Sequence, residues 1–173
     1  PNIAGGGMAF GTDSDLVYEV TETVKNNYSG TVITKLSPNV TDIVEMALAA
    51  EKGGADVISL INTLLGMSID VEKRSPVLGN VLGGLSGPAI KPVALRMVYQ
   101  TYKKIEIPII GIGGIMTGED AVEFMLAGAS AVAVGTANLI EPDASQNILN
   151  EIKNYMEQKN ITDIKNIIGE AHI

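Results

Sequence analysis

Along the chain, short runs in which nearly every residue is apolar alternate with longer stretches whose apolar positions recur every three or four residues. The first kind reads as strands buried on both faces, the second as amphipathic helices. Strands are expected at 31–36, 56–61, 108–112 and 131–134, and helices at 13–28, 144–158 and 161–168 and after each of the first three strands. Asp42 followed three residues later by Glu45 predicts a capping box, Ile43, Met46, Ala47 and Ala50 keep helical spacing, and Gly53 or Gly54 ends that helix. Ser86 or Gly87 predicts the next helix cap. Pro88 falls in the first turn, where a missing N–H costs nothing, and Ile90, Ala94, Met97, Val98 and Thr101 form the buried side. Thr117 and Asp120 open a further helix that stops at Gly128.

Strand followed by helix, repeated, is the pattern of parallel βα units. The first two strand starts, and the last two, lie about 25 residues apart, one strand and one helix with short loops. The middle interval is longer by about one unit's length, and residues 62–87, rich in Gly and holding Pro76, predict an insertion with a small hairpin. Four βα units build either a small doubly wound sheet or half of an eight-stranded barrel, and periodicity does not separate the two. The glycines closing the last two strands, in Gly111-Ile112-Gly113-Gly114 and Gly135-Thr136, favour the barrel, because barrels commonly bind phosphate with the loops after strands seven and eight. The expected fold is therefore α/β, a (βα)8 TIM barrel of which this chain supplies about the second half, strands 5 to 8 with their helices. A full barrel takes about 250 residues. Residues 1–173 thus form one domain, and the opening Pro1-Asn2-Ile3-Ala4-Gly5-Gly6-Gly7 reads as the middle of a loop, so an N-terminal truncation is expected.

Composition narrows the chemistry. The chain has 12 Lys+Arg against 20 Asp+Glu, a formal charge of −8, and no basic cluster longer than two residues, which argues against nucleic acid or an anionic membrane as partner. Asn62 interrupts the apolar stretch 57–67 and small residues dilute 127–140, so no membrane helix is expected and the protein reads as soluble. Cysteine is absent, which excludes disulfides, zinc thiolates and a cysteine nucleophile within these residues. His172 is the only histidine, which excludes a multi-histidine metal centre; near the chain end and with no partner in reach by sequence, it reads as a frayed terminus.

Three features carry candidate chemistry. Gly113 and Gly114 let a backbone approach a phosphate closely, the helix opening near Thr117 adds a positive end, and Gly135 with Thr136 repeats the arrangement one unit later. Either pair alone is no more than a tight turn; two in consecutive strands point to a phosphate site. Lys35 lies inside an apolar strand near its C-terminal end, where barrel enzymes place functional groups, although a lysine on a sheet edge gives the same pattern. Asn62 and Thr63 close the next strand with uncharged hydrogen-bonding groups suited to a polar planar ligand.

These residues sit in longer strings: Thr34-Lys35-Leu36-Ser37-Pro38-Asn39, Ile61-Asn62-Thr63-Leu64-Leu65-Gly66-Met67, Gly83-Gly84-Leu85-Ser86-Gly87-Pro88-Ala89-Ile90-Lys91-Pro92, Gly111-Ile112-Gly113-Gly114-Ile115 and Val134-Gly135-Thr136-Ala137-Asn138. With them the sequence resembles the catalytic, FMN-binding subunit of class 1B dihydroorotate dehydrogenases over essentially its whole length. The resemblance implies a cytoplasmic flavoprotein of de novo pyrimidine (UMP) biosynthesis that oxidises dihydroorotate to orotate, with hydride passing to the flavin N5. It implies that Lys35 faces the flavin and stabilises charge on its reduced form, and that Ile61 lies against the cofactor. Gly87, Gly113, Gly114, Gly135 and Thr136 would contact its ribityl chain and phosphate, and Asn2, Asn62 and Thr63 the substrate. The family's base is a cysteine that the resemblance places just before Pro1, outside these residues. An electron-transfer subunit carrying FAD and a 2Fe-2S cluster and passing electrons to NAD is implied as partner, in a heterotetramer of two subunits of each kind. The related FMN domain of dihydropyrimidine dehydrogenase shares the lysine and Pro-Asn strings and is the alternative, as is a non-catalytic half-barrel that binds flavin or phosphate.

Overall fold

A computed structural model of the chain describes residues 10–173. Four strands, β1 (Ile33–Leu36), β2 (Val57–Leu60), β7 (Ile109–Ile112) and β8 (Ala131–Ala133), form one parallel sheet in the order β1-β2-β7-β8. Helix α2 (Ile43–Lys52) joins the first pair, α3 (Lys91–Tyr102) precedes β7, and α4 (Gly118–Leu126) joins β7 to β8. Helix α1 (Ser14–Asn27) precedes the sheet, and the short α5 (Ala137–Ile140) and the longer α6 (Ala144–Gln158) follow it. The insertion holds two antiparallel pairs, β3 (Leu64–Met67) with β6 (Leu82–Leu85) and β4 (Ile69–Asp70) with β5 (Ser75–Pro76).

Strand order follows chain order without reversal, whereas a doubly wound sheet reverses at a switch point. Such single winding puts every crossover helix on the same face, the arrangement of a barrel wall. Alternation of side chains shows the result. Leu36, Ile58, Leu60 and Ile109 are at most 2% exposed, and Gly111 on that same face lies against Phe124 of α4. On the opposite face Ile33 is 51% exposed, Lys35 is exposed and Ile110 and Ile112 are half-buried. The expectation of strands buried on both faces therefore holds in full for one face only: the helices cover the outer side, and among the described residues the inner side is largely open, with Ser59 at 7% exposure as its one buried strand position.

Capping side chains set the starts of α1, α2 and α4; α3 differs, because the expected Gly87 and Pro88 open a 3-10 turn, Pro88–Ile90, and α3 begins at Lys91 with no side-chain cap. Asp13 caps α1 by accepting from Asp15 and Leu16 N–H, and Asp42 caps α2 by accepting from Val44 and Glu45 N–H. Glu45 does not complete the expected capping box, because its carboxylate accepts from the Ser14 hydroxyl at 2.8 Å instead. The full reciprocal box stands at Thr117 and Asp120 of α4. The expected helix at 161–168 is shortened to a 3-10 turn, Ile164–Ile167. His172 is also not a frayed end: its ring stacks on Tyr99 with centroids 3.9 Å apart, and Nε2 lies 3.0 Å from the Ala127 carbonyl oxygen. Gly169 and Ala171 N–H groups, donating to Met125 and Leu126 carbonyls, fasten this tail across the end of α4.

At the N-terminal end of the sheet, Asp56 ties three elements together. Its carboxylate accepts from Lys25 of α1 at 2.7 and 2.8 Å and from the Val32 N–H at 2.7 Å. The Lys25 ammonium, with the Val32 N–H second, holds the Asp56 pKa below its ordinary value. A carboxyl depressed in the folded state stabilises above its unfolded pKa and loses that contribution as pH falls through its folded one. Asp56→Asn is accordingly expected to lower the urea midpoint at pH 7. The gap to wild type should close as unfolding is repeated from pH 5 down to about pH 2; a constant gap would contradict the role of the charge.

Candidate functional site

The C-terminal ends of the four parallel strands share one rim, which collects every described residue that the sequence singles out. Lys35 lies one residue before the end of β1, on the open face, in register with Ser59 of β2. Among the described residues its ammonium makes no ion pair or side-chain hydrogen bond, so it is available to an anion or an electron-rich ring. Ile61, 2% exposed, closes β2 with its N–H donating to the Ile112 carbonyl at 2.8 Å, and the Asn62 N–H donates to the Leu36 carbonyl at 2.8 Å. These bonds fix the Asn62 and Thr63 side chains at the rim, where both are exposed. Asn2 lies outside the described residues.

Asn39 is the residue the sequence reading missed. Its side-chain amide donates to the Thr63 carbonyl at 3.2 Å, and its oxygen accepts from Leu65 N–H at 2.8 Å, so it pins the loop that presents Asn62 and Thr63. The signal was an Asn directly after Pro38 at a strand end, a position rich in side-chain-to-backbone bonding.

The glycines build the other side of the rim. Gly87, Gly113 and Gly114 have φ of +85°, +138° and +77°, which L side chains rarely adopt. A Cβ at residue 113 would stand 2.8 Å from Ala94 Cβ, and one at 114 would stand 2.7 Å from the Lys91 backbone nitrogen and 2.8 Å from the Gly87 carbonyl oxygen. Gly135 differs, because a Cβ there would meet nothing within 4 Å; its bareness faces open space. Thr136 donates its hydroxyl to Ser86 Oγ at 2.8 Å and so joins the end of the insertion to the end of β8. Among the described residues no acceptor meets the N–H groups of Gly113, Gly114, Gly135 or Thr136. Four donors without an acceptor at the ends of consecutive strands are groups of the kind that anion-binding nests use.

Behind these donors stands an ionic cluster. Lys91 Nζ lies 2.6 Å from Asp120 Oδ1 and 2.8 Å from Glu123 Oε2, while Asp120 Oδ2 accepts from Met116 and Thr117 N–H at 2.8 and 3.0 Å. Hydrogen bonds that its ammonium donates first to Asp120 and then to Glu123 raise the Lys91 pKa. Burial works to raise the Asp120 carboxyl, but the donors Lys91, Met116 and Thr117 outweigh it and hold that pKa below its ordinary value. The cluster is a closed structural pairing at pH 7. A separate open cleft of about 540 Å³ lies beside the start of α2, lined by Thr12, Asn39, Asp42 and Met46 among others, and shares none of the rim glycines.

The family model described as dihydroorotate dehydrogenase matches residues 1–156. The chain is 63% identical over 169 residues to the dihydroorotate dehydrogenase B (NAD(+)) catalytic subunit of Alkaliphilus metalliredigens, covering 98% of this chain and 56% of that protein. It is 59% identical over 173 residues to the protein of the same name from Desulforamulus reducens, covering all of this chain and 57% of the relative. Among solved structures, a crystal structure of DHODH from Eimeria tenella in complex with ferulenol superposes with a TM-score of 0.76 at 25% identity, over 92% of this chain and 49% of that one. The chain thus spans about half the length of the proteins it matches.

The two kinds of rim glycine make opposite expectations. Gly135→Ala adds a methyl group in open space, so ligand-free stability should change by no more than about 0.5 kcal/mol, while any phosphate-bearing ligand that approaches this backbone should bind more weakly. Gly114→Ala forces a Cβ against backbone atoms at positive φ and should destabilise the ligand-free protein by about 1–2 kcal/mol or more. Urea unfolding and FMN titration of both variants check this; equal stability losses would show that Gly135 is a turn residue alone.

Proposed function

Because the chain belongs to the dihydroorotate dehydrogenase family, we propose that it carries much of the FMN site and part of the dihydroorotate site of an NAD-linked, class 1B enzyme of de novo pyrimidine biosynthesis. The observation that carries this reading is the rim itself: four N–H donors without acceptors among the described residues at Gly113, Gly114, Gly135 and Thr136, and the unpaired Lys35 across the same strand ends. Sterically the support comes from Gly135, where a Cβ would stand in open space, whereas at Gly113 and Gly114 it would collide with Ala94, Lys91 and Gly87 of the chain itself. Family membership supplies the flavin dependence, and four parallel strands walled by helices on one face are part of a (βα)8 barrel. We read them as strands 5 to 8, because these donors stand on the last two.

Bound FMN supplies the two-electron acceptor for hydride from C6 of dihydroorotate. The chain's own residues do the rest of their share by position. Gly87, Gly113, Gly114, Gly135 and Thr136 hold the phosphate and ribityl chain, and Ile61, buried between Gly113 and β2, is the apolar group against the cofactor. Lys35 presents a positive charge where electron density increases during hydride transfer, an electrostatic contribution that favours the transition state over the ground state. Asn62 and Thr63, held by Asn39, offer amide and hydroxyl groups to the carbonyls and amides of the pyrimidine; Asn2 belongs to the same proposed set. With no cysteine among the 173 residues, the thiol that removes the C5 proton is not supplied by them.

The relatives are named catalytic subunits, which supports an electron-transfer partner. We assign FAD, a 2Fe-2S cluster and the NAD site to that partner, in a cytoplasmic heterotetramer of two subunits of each kind. No helix among the described residues is long and apolar enough to cross a membrane.

Anaerobic addition of dihydroorotate to the full-length protein is expected to bleach its flavin band, and dihydrouracil is expected not to. Bleaching by dihydrouracil instead would move the assignment to the dihydropyrimidine relative. Lys35→Met should retain flavin yet slow the bleaching by about a hundredfold, the scale of losing one preorganised charge-stabilising group. An unaltered rate measured by stopped flow would remove Lys35 from the chemistry.

A further inference from the structure

A lysine at the first position of a helix is electrostatically misplaced, since the positive end of the helix dipole disfavours it. Lys91 opens α3, which has no acidic residue in its own first turn. Its two carboxylate partners come from α4, about thirty residues further along the chain. One of them, Asp120, uses its second oxygen to hold Met116 and Thr117 N–H, the residues that follow the Gly113-Gly114-Ile115 turn. Lys91 also touches that turn through its backbone: its nitrogen and Cβ stand 2.7 and 2.8 Å from the place a Gly114 Cβ would take, next to the Gly87 carbonyl oxygen. A continuous set of contacts therefore runs from the Gly87 turn through Lys91 and Asp120 to the loop after Gly114. The same ammonium is the only cation paired with Asp120 and Glu123 among the described residues.

We propose that Lys91 is a positioning residue for the phosphate end of the flavin site: it locks the Gly87 and Gly114 turns at one spacing and offsets one of the two negative charges of Asp120 and Glu123, so that a dianion can settle on the adjacent N–H donors. This rests on the flavin reading above. Lys91 touches no ligand; it acts through Gly114 and Asp120. Without its ammonium, two carboxylates stand uncompensated behind those donors and repel a ligand in proportion to the ligand's negative charge. The effect must therefore distinguish FMN from riboflavin, which differs by the phosphate alone.

The test uses full-length apoprotein titrated by flavin fluorescence quenching with FMN and with riboflavin. In Lys91→Met the FMN Kd is expected to increase by at least about tenfold, the scale of a charged hydrogen bond lost in a partly buried site, with the riboflavin Kd within about twofold of wild type. Lys91→Arg is expected to restore FMN binding. Glu123→Gln keeps the Lys91–Asp120 pair and removes the charge left uncompensated, so it should bind FMN more tightly than wild type with riboflavin unchanged, and this arm decides the matter even if Lys91→Met does not fold. Unchanged FMN affinity in Lys91→Met, parallel loss of both flavins, or FMN binding by Glu123→Gln no tighter than wild type would each overturn the proposal. A wild-type protein that binds neither flavin would instead overturn the flavin reading from which it starts.

Discussion

At residue 114 there is room for a hydrogen and nothing more: a methyl carbon would stand 2.7 Å from the Lys91 nitrogen and 2.8 Å from the Gly87 carbonyl oxygen, both on the turn that leads into α3. That close approach brings the start of α3, the end of the insertion and the end of β7 into one rim, and the rest of the site depends on it. With the turns in contact, the N–H groups of Gly113 and Gly114 stand on one side and those of Gly135 and Thr136 on the next strand end. The β1 and β2 ends complete the rim from the opposite side, through Ile61 bonding to Ile112 and Asn62 bonding to Leu36. Position comes from the strands, and the freedom to be reached by a ligand comes from the missing side chains.

The parallel sheet gives that rim its rigidity. Leu36, Ile58, Leu60, Ile109 and Phe124 pack between strands and helices with almost no exposure, and a fully buried Phe124 contributes roughly 2–3 kcal/mol by its apolar surface alone. The proposed function sits on the open face and at the strand ends, where Lys35 has no ion pair among the described residues. Burial on one face and exposure on the other thus divide stability from chemistry within a single four-stranded sheet.

Much of this was legible from local pattern. β-Branched runs marked all four parallel strands to within about two residues, and Pro88, Thr117 and the glycines after each unit marked helix starts and stops. Lys35, Asn62, Gly113 and Gly135 stood out because polar or bare residues at strand ends break an otherwise apolar rule. What escaped was long-range. The open inner face was hidden because Ile33, Ile110 and Ile112 are apolar like their buried neighbours, and hydropathy does not say which face a helix covers. The Lys91–Asp120–Glu123 cluster and the Ser14–Glu45 bond join residues about thirty apart, so no spacing rule announces them. His172 read as unpartnered for the same reason, its stacking partner Tyr99 lying far back in the chain. Asn39 was visible only as part of a string, because its role is to hold a neighbouring loop.

The central claim is that the glycine rim holds the phosphate of a flavin. A crystal structure of the full-length protein with FMN tests it directly. Phosphate oxygens within hydrogen-bonding distance of the Gly113, Gly114, Gly135 and Thr136 N–H groups, with Lys35 beside the ring, are the predicted result. A flavin phosphate lodged elsewhere, for instance in the cleft beside Asp42, with those four N–H groups left to solvent, would contradict the account.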